Sequence, residues 1–198
     1  MALLSENDNR CPWCGDDPIY VDYHDNEWGV PLKDSRALWE MLILEGFQSG
    51  LSWITILKKR NNFRTAFRGF DPNIIAAWGE NEVAKLLQDK GIVRSRLKIE
   101  ATIHNAQSYL ALSKRLNFSD FIWSHVKGQP IQNVFEDFSE IPATTPLSEK
   151  LSEDFKKLGF KFCGPTTVYA FMQSVGLVND HLVECPCYEK IKNFEQSS

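Results

Sequence analysis

Cysteine and histidine gather at both ends of this chain. Cys11 and His24 lie thirteen positions apart near one end, and His181 and Cys185 lie four apart near the other. A spacing of four places two side chains on one face of a helix. Two thiolates and two imidazoles form a tetrahedral donor set suited to Zn²⁺, with Zn–S about 2.3 Å and Zn–N about 2.0–2.1 Å. Such a site would close the two ends on each other. Cys14 and Cys187 compete as ligands, and the alternative is unligated cysteines around a hydrogen-bonded His24.

A second group is aromatic and acidic. Trp13, Tyr20, Tyr23 and Trp28 fall within sixteen residues, and Trp53 follows eight residues after Glu45. Ring faces beside a carboxylate suit a flat, cationic ligand. Glu45 ends the apolar run Leu42-Ile43-Leu44 and precedes the glycine-bracketed stretch 46–50, which favours a buried functional carboxylate over a helix-end charge. Trp39, Trp78 and Trp123 stand alone in helical surroundings and are expected in the core. No glycine-rich phosphate loop and no nucleophile elbow occurs, which argues against nucleotide-dependent and serine-hydrolase chemistry.

The elements that must position these groups are helical. Asp34-Ser35 opens an apolar helix, and Asp71-Pro72 opens a short one through Trp78. Arg94 to Leu116 reads as one long helix, Ser119-Asp120 caps Phe121–Val126, and helices resume over Leu147–Leu158 and Pro165–Val175. Gly128 to Pro146 reads as a long loop, and Pro18 to Val21 is the best strand signal. The fold class is all-α. Gly159 and Gly164 bracket a turn where positive φ is expected. The free N–H groups opening the next helix, with Lys157 and Lys161 beside them, can grip a phosphate without reading a base. The alternative is an ordinary helix–turn–helix corner.

The chain has 198 residues, 24% charged and 43% hydrophobic, a composition that fits one ordered globular domain. No apolar run approaches the roughly 18 residues of a membrane span, and the first residues lack a signal-peptide core. A cytoplasmic location is therefore expected, where five cysteines favour metal, catalysis or packing over disulfides. The net charge of −4 excludes a uniformly basic nucleic-acid binder. Residues 58–98 nevertheless carry ten basic against four acidic groups, either a DNA-facing patch or a solvated helix surface.

Four blocks carry a resemblance: Tyr23-His24-Asp25-Asn26-Glu27-Trp28-Gly29-Val30-Pro31, Leu44-Glu45-Gly46 to Gly50-Leu51-Ser52-Trp53-Ile54-Thr55, Gly159-Phe160-Lys161-Phe162 and Gly176-Leu177-Val178-Asn179-Asp180-His181. From about Arg10 to Tyr188 the chain resembles the bacterial 3-methyladenine DNA glycosylase I family. The resemblance implies a helix-hairpin-helix glycosylase fold with a structural zinc joining the N- and C-terminal segments through Cys11, His24, His181 and Cys185. It implies a monomeric enzyme that flips 3-methyladenine out of double-stranded alkylated DNA and hydrolyses its glycosidic bond without a lyase step. The free base is the product, and base excision repair follows. Glu45 and Tyr23 would be the catalytic pair, with Trp13, Tyr20 and Trp53 completing the base pocket. Gly50 and Leu51 would fill the gap left by the flipped base, and Gly159, Lys161 and Gly164 would meet the DNA backbone. Residues 10–188 would form the domain, with flexible tails at 1–9 and 189–198. Phe47 and Ser49 depart from the family pattern in the loop expected to face DNA, where a polar residue and alanine are usual, and Cys14 is a further departure. Two rival readings remain, a zinc-stapled DNA-binding module without catalysis and a zinc hydrolase with an open coordination position.

Overall fold

Asp34 accepts a hydrogen bond from the Ala37 amide at 2.8 Å and Asp71 from the Asn73 amide at 2.9 Å, so both predicted caps stand at helix starts. The computed structural model describes residues 9–194. Its helices are α1 (Pro18–Asn26), α2 (Ser35–Gln48), α3 (Trp53–Ala66), α4 (Pro72–Ile75), α5 (Glu80–Gln88), α6 (Arg96–Ser113), α7 (Phe118–Ser124), α8 (Pro146–Lys157), α9 (Pro165–Ser174) and α10 (Pro186–Lys192). Two short strands, β1 (Ile131–Gln132) and β2 (Val178–Asn179), pair in parallel with Ile131 opposite Val178. The all-α expectation holds, with this single two-stranded exception among the described residues.

Several expectations are corrected. The strand expected over Pro18–Val21 is the first turn of α1, because Asp17 caps the Ile19 amide and Pro18 occupies the first helical position. Helix α7 begins at Phe118 because the Asn117 side chain accepts from the Ser119 and Asp120 amides. The short helix from Asp71 is α-helical only to Ile75 and continues to Trp78 as tighter turns, with Ala77 bonded to Ile74 and Trp78 to Ile75. Helix α10 runs through the boundary expected at 188 and buries Ile191 at 2% exposure, so the ordered domain extends beyond that residue. The expected N-terminal tail, apart from Asn9, and residues 195–198 lie outside the described residues.

Helix α2 is the central element, burying Leu38, Trp39, Leu42, Leu44 and Phe47. Phe47 meets Phe63 in a tilted contact at 4.8 Å and Phe67 edge-on at 5.6 Å, so it faces the core; Ser49, two residues on, is exposed. Trp39 and Trp123 are buried and Trp78 packs against the same core, as expected. Helices α8 and α9 form the helix-hairpin-helix around residues 158–164, and α9 lies against α2. Gly159 has φ +89°, but Gly164 is an ordinary extended N-cap of α9 at φ −68°. The second left-handed residue of the hairpin is Phe162 at φ +56°, an uncommon conformation for a bulky side chain.

Just after α9, Gly176 (φ +70°) passes so close to segment 29–31 that an added Cβ would lie 2.5 Å from the Gly29 carbonyl oxygen. The approach is locked by backbone bonds from Gly29 to Gln173 at 3.1 Å and from Leu32 to Val175 at 3.0 Å. It brings the two ends of the chain together. Gly176→Ala is accordingly expected to lower stability by roughly 3 kcal/mol through combined φ strain and backbone clash. A urea midpoint equal to that of the unsubstituted protein would show that the approach carries no such constraint.

Candidate active site and metal centre

The Cys and His side chains singled out above meet in one buried cluster. Cys11 Sγ lies 3.6 Å from His181 Nδ1, and Cys185 Sγ lies 3.6 Å from both His24 Nε2 and His181 Nδ1. All four donor atoms fall within 4.8 Å of one another. Zn–S and Zn–N bonds of ordinary length at a tetrahedral angle put sulfur and nitrogen about 3.6 Å apart. The cluster therefore fits a metal ion of that size. His24 Nδ1 meets Asp25 Oδ1 at 2.7 Å, and Arg10 grips the same carboxylate at 2.8 and 2.7 Å. That chain puts the proton on Nδ1 and leaves Nε2 as ligand, while His181 Nε2 faces the Trp28 carbonyl at 3.1 Å. The Arg10 hydrogen bonds, with the imidazole behind them, hold the Asp25 carboxyl down to about 2. The neighbouring Cys11 and Cys187 thiols hold Cys185 below the ordinary thiol range, and the same contacts together with burial push Cys11 and Cys187 above it.

Two details differ from the sequence reading. His181 and Cys185 come together on a non-helical turn closed by the Cys185 amide on the Leu182 carbonyl, and not on a helical face. Cys14 turns its thiol to the carbonyls of Cys11 and Gly15, and Cys187 approaches the opposite nitrogen of His24 at 3.9 Å. Neither belongs to the four-donor group.

Beside this cluster opens a cavity of about 380 Å³. Trp13, Tyr20, Tyr23, Glu45 and Trp53 all line it, together with Trp28. The metal cluster and the cavity share segments. Trp13 follows Cys11 in a 3-10 turn, Tyr23 precedes His24, and the Trp28 ring stands edge-on to His181 at 4.6 Å. Trp13 contacts Tyr20 and Trp28 at 5.0 and 4.9 Å, and Tyr23 meets Trp53 at 5.4 Å. The indole N–H groups of Trp13 and Trp53 are buried without an acceptor among the described residues, hydrogen-bonding capacity that the fold leaves unused.

Glu45 lies within α2, one turn before its end, and is 3% exposed. Burial pushes its carboxyl up to about 8, offset only in part by the Ser174 hydroxyl, and no cationic side chain counters it. Burial likewise drives the Tyr23 phenol well above its ordinary value, with the Glu45 charge adding to it, so Tyr23 stays a hydroxyl donor. Burial pushes Tyr20 up to about 12.

The far wall was missed by sequence reasoning. Thr166, Tyr169, Ala170 and Gln173 form one face of α9, and Phe138, Ile141 and Pro142 reach over from the 138–143 segment. The i, i+3, i+4, i+7 spacing on α9 was the available signal, masked because core faces repeat in the same way. Behind this wall the buried Asp180 accepts from Tyr169 Oη at 2.6 Å, Gln173 Nε2 at 2.8 Å and Asn133 Nδ2 at 2.7 Å.

Gly50 (φ +82°) and Leu51 (41% exposed) form the tip of the loop between α2 and α3. The hairpin packs close to that end of α2, with Phe162 Cβ 3.5 Å from where a Gly46 Cβ would stand, and Lys161 is exposed. The 58–98 basic excess is not one free face. Lys58, Arg60, Arg64 and Arg96 pair with Asp17, Glu27, Glu40 and Glu80, and Lys157 of the hairpin pairs with Asp154.

A carboxyl at about 8 inside the fold and near 4.3 in the unfolded chain costs stability as pH rises between those values, because the folded state retains a proton that the unfolded state releases. Glu45→Gln removes that slope. The variant is expected to match the parent at pH 4.5 and to exceed it at pH 8 by on the order of 4 kcal/mol, read from urea midpoints at the two pH values. Parallel pH profiles for the two proteins would contradict the buried, uncompensated carboxyl.

Comparison with known proteins follows the same outline. The methyladenine glycosylase family model matches residues 13–188. DNA-3-methyladenine glycosylase 1 of Escherichia coli is 54% identical over 180 residues, covering 90% of this chain and 96% of that protein. The DNA-3-methyladenine glycosylase of Haemophilus influenzae is 53% identical over 179 residues, covering 90% and 97%. A crystal structure of 3-methyladenine DNA glycosylase I superposes with a TM-score of 0.89 at 54% identity, covering 90% of this chain and 98% of that one. A Staphylococcus aureus structure describing 3-methyladenine recognition superposes at 0.87 with 41% identity, covering 90% and 95%.

Proposed function

The chain belongs to the methyladenine glycosylase family, and from that premise we propose that it excises 3-methyladenine from alkylated double-stranded DNA by hydrolysing the N-glycosidic bond. One observation carries the reading: Glu45 is a buried carboxylate without a cationic partner in a cavity walled by Trp13, Tyr20, Tyr23, Trp28 and Trp53. Alkylation at N3 makes adenine a cation, the ligand that ring faces and a desolvated carboxylate hold best. When the bond breaks, the base leaves neutral, so no strong acid is needed on it. Glu45 and Tyr23 are then the residues that touch the reacting base, Glu45 accepting from its exocyclic amine. Guanine would set a carbonyl oxygen against Glu45 instead, a mismatch costing about 1–3 kcal/mol.

The lesion must leave the stack to reach this cavity. Leu51 and Gly50 are placed to fill the gap, while Lys161, Gly159 and Gly164 meet backbone phosphates. None of the residues lining the cavity is a lysine, which supports hydrolysis without a lyase step. The Cys11–His24–His181–Cys185 set is a structural zinc site, because four protein donors leave no position for water. That argues against the zinc-hydrolase alternative. The aromatic carboxylate cavity argues against a purely DNA-binding module.

Elemental analysis of freshly purified protein is expected to give one zinc per chain. Cys11→Ala or His181→Ala should lower thermal stability far more than it alters lesion choice. Full stability in the double substitution would remove the structural assignment.

Glu45→Gln keeps the shape of the site but loses its charge. Titration of free 3-methyladenine, followed by tryptophan fluorescence or NMR, should show about 10- to 100-fold weaker binding, with duplex affinity changed much less. Trp53→Ala should act in the same direction, by roughly 2 kcal/mol. Unchanged base affinity in folded Glu45→Gln would remove the basis of the proposal.

A further inference from the structure

Helix α6 reaches both of the elements assigned to DNA through two polar side chains seven residues apart. Lys98 Nζ donates to the Phe47 carbonyl at 2.8 Å and the Ser49 carbonyl at 2.6 Å, at the end of α2. Asn105 clasps the hairpin backbone in both directions, donating to the Lys161 carbonyl at 2.9 Å and accepting from the Lys161 amide at 2.7 Å. Seven residues of α-helix are two turns, so both side chains stand on one face, about 10 Å apart along the axis. The seam between them is closed. Thr102 bonds back to the Lys98 carbonyl at 2.8 Å, and the crevice between α2, α6 and the hairpin encloses only about 10 Å³.

The loop itself has little else to hold it. Its own bonds are the Leu51 amide on the Gln48 carbonyl at 2.6 Å, the Gln48 side-chain Nε2 on the Leu51 carbonyl at 3.0 Å, and the Ser49 amide on the Glu45 carbonyl at 3.3 Å. An added Cβ at Gly50 would meet nothing within 4 Å. The last carbonyls of a helix are orphan acceptors carrying partial negative charge, and an ammonium with three donors can satisfy two of them at once. Lys98 is half-buried there, with its bond to the Phe47 carbonyl partly shielded from water and its bond to the Ser49 carbonyl at the surface.

We propose that Lys98 is a positioning residue for base extrusion: it fixes the Leu51 loop to α6, and Asn105 fixes the hairpin to the same helix, so the spacing between the gap-filling tip and the phosphate grip is set by a rigid element. This rests on the reading that the loop and the hairpin meet DNA. A wedge displaced by about 1 Å relative to the backbone grip costs on the order of 100-fold in a positioned reaction. The base cavity does not depend on this link, because Glu45 sits inside α2 and is held by the core.

The test separates duplex engagement from base binding. Lys98→Met keeps the aliphatic stem and removes the donors. It is expected to bind a duplex carrying a tetrahydrofuran abasic analogue about tenfold more weakly, to lower kcat on methylated duplex, and to bind free 3-methyladenine within twofold of the parent. Lys98→Arg should restore most of the loss, and Lys98→Gln replaces Met if that variant does not fold. Parent-like duplex affinity in Lys98→Met overturns the proposal, as does an equal loss for duplex and free base. Leu51→Ala and Lys161→Glu are measured alongside. If both bind the abasic duplex like the parent, the assignment of loop and hairpin to DNA is itself wrong and the Lys98 proposal falls with it. If they lose affinity while Lys98→Met does not, only the positioning role is refuted.

Discussion

A single buried carboxylate sets the terms for the rest of this structure. Glu45 stands on the buried face of α2, one turn before its end, and the fold supplies it with no cation. Desolvating a carboxylate without a partner costs several kcal/mol unless it takes up a proton, and the shift to about 8 shows that compromise. Such a residue is a net loss for stability. What it gains is a site that becomes complementary to positive charge by releasing that proton when a cation arrives. Aromatic walls serve the same end, because they exclude water while still favouring a cation over a neutral ring. A solvated carboxylate at the mouth of the cavity would be screened and would discriminate poorly.

Holding that arrangement requires the N-terminal aromatics to be pinned, and they come from segments with little packing of their own. Cys11 precedes Trp13, His24 follows Tyr23, and His181 fixes Trp28 through both a hydrogen bond and a ring contact. The wall built by Trp13, Tyr23 and Trp28 is therefore one or two residues or contacts away from a side chain of the Cys and His cluster. The Gly176 approach to segment 29–31 brings the partners within reach, and the Arg10–Asp25–His24 chain turns the imidazole toward the thiolates. The cluster thus acts on pocket geometry as well as on closure of the termini.

Much of this was legible in the residues, and the failures have physical causes. The donor set and the aromatic-acidic cluster were visible because such residue types are rare together and have few alternative uses. The caps at Asp34 and Asp71 were visible because they are local. The same local rule holds at Asp17-Pro18, where the cap and the proline start α1 despite the β-propensity of Ile19, Tyr20 and Val21. Helix α3 is hidden by its density of basic residues, whose partners Asp17 and Glu27 flank α1 and Glu40 lies on α2, far away in sequence. The far wall on α9 was illegible for a different reason: nothing local distinguishes a helix face against a core from one against a cavity. Phe162 shows the limit from the other side, since a left-handed aromatic is imposed by tertiary packing and no propensity predicts it.

The charge distribution bears on how an acidic protein meets a polyanion. Pairing of Lys58, Arg60 and Arg64 with carboxylates outside the segment, and of Arg96 with Glu80 inside it, cancels about half of the net positive charge that the 58–98 segment would project. Long-range attraction to DNA is correspondingly reduced, and contact must rely on groups that act at hydrogen-bond distance. The hairpin offers such groups in the amides opening α9 and the exposed Lys161, whereas Lys157 is occupied by Asp154. Short-range donors grip only a backbone that is already in the right place, so their value depends on how rigidly they are held. Asn105 supplies that rigidity for the hairpin and Lys98 for the neighbouring loop, both from one helix. On the proposed reading, a weak field combined with a stiff frame would let the protein leave undamaged DNA readily and still distort the duplex where a destabilised base yields.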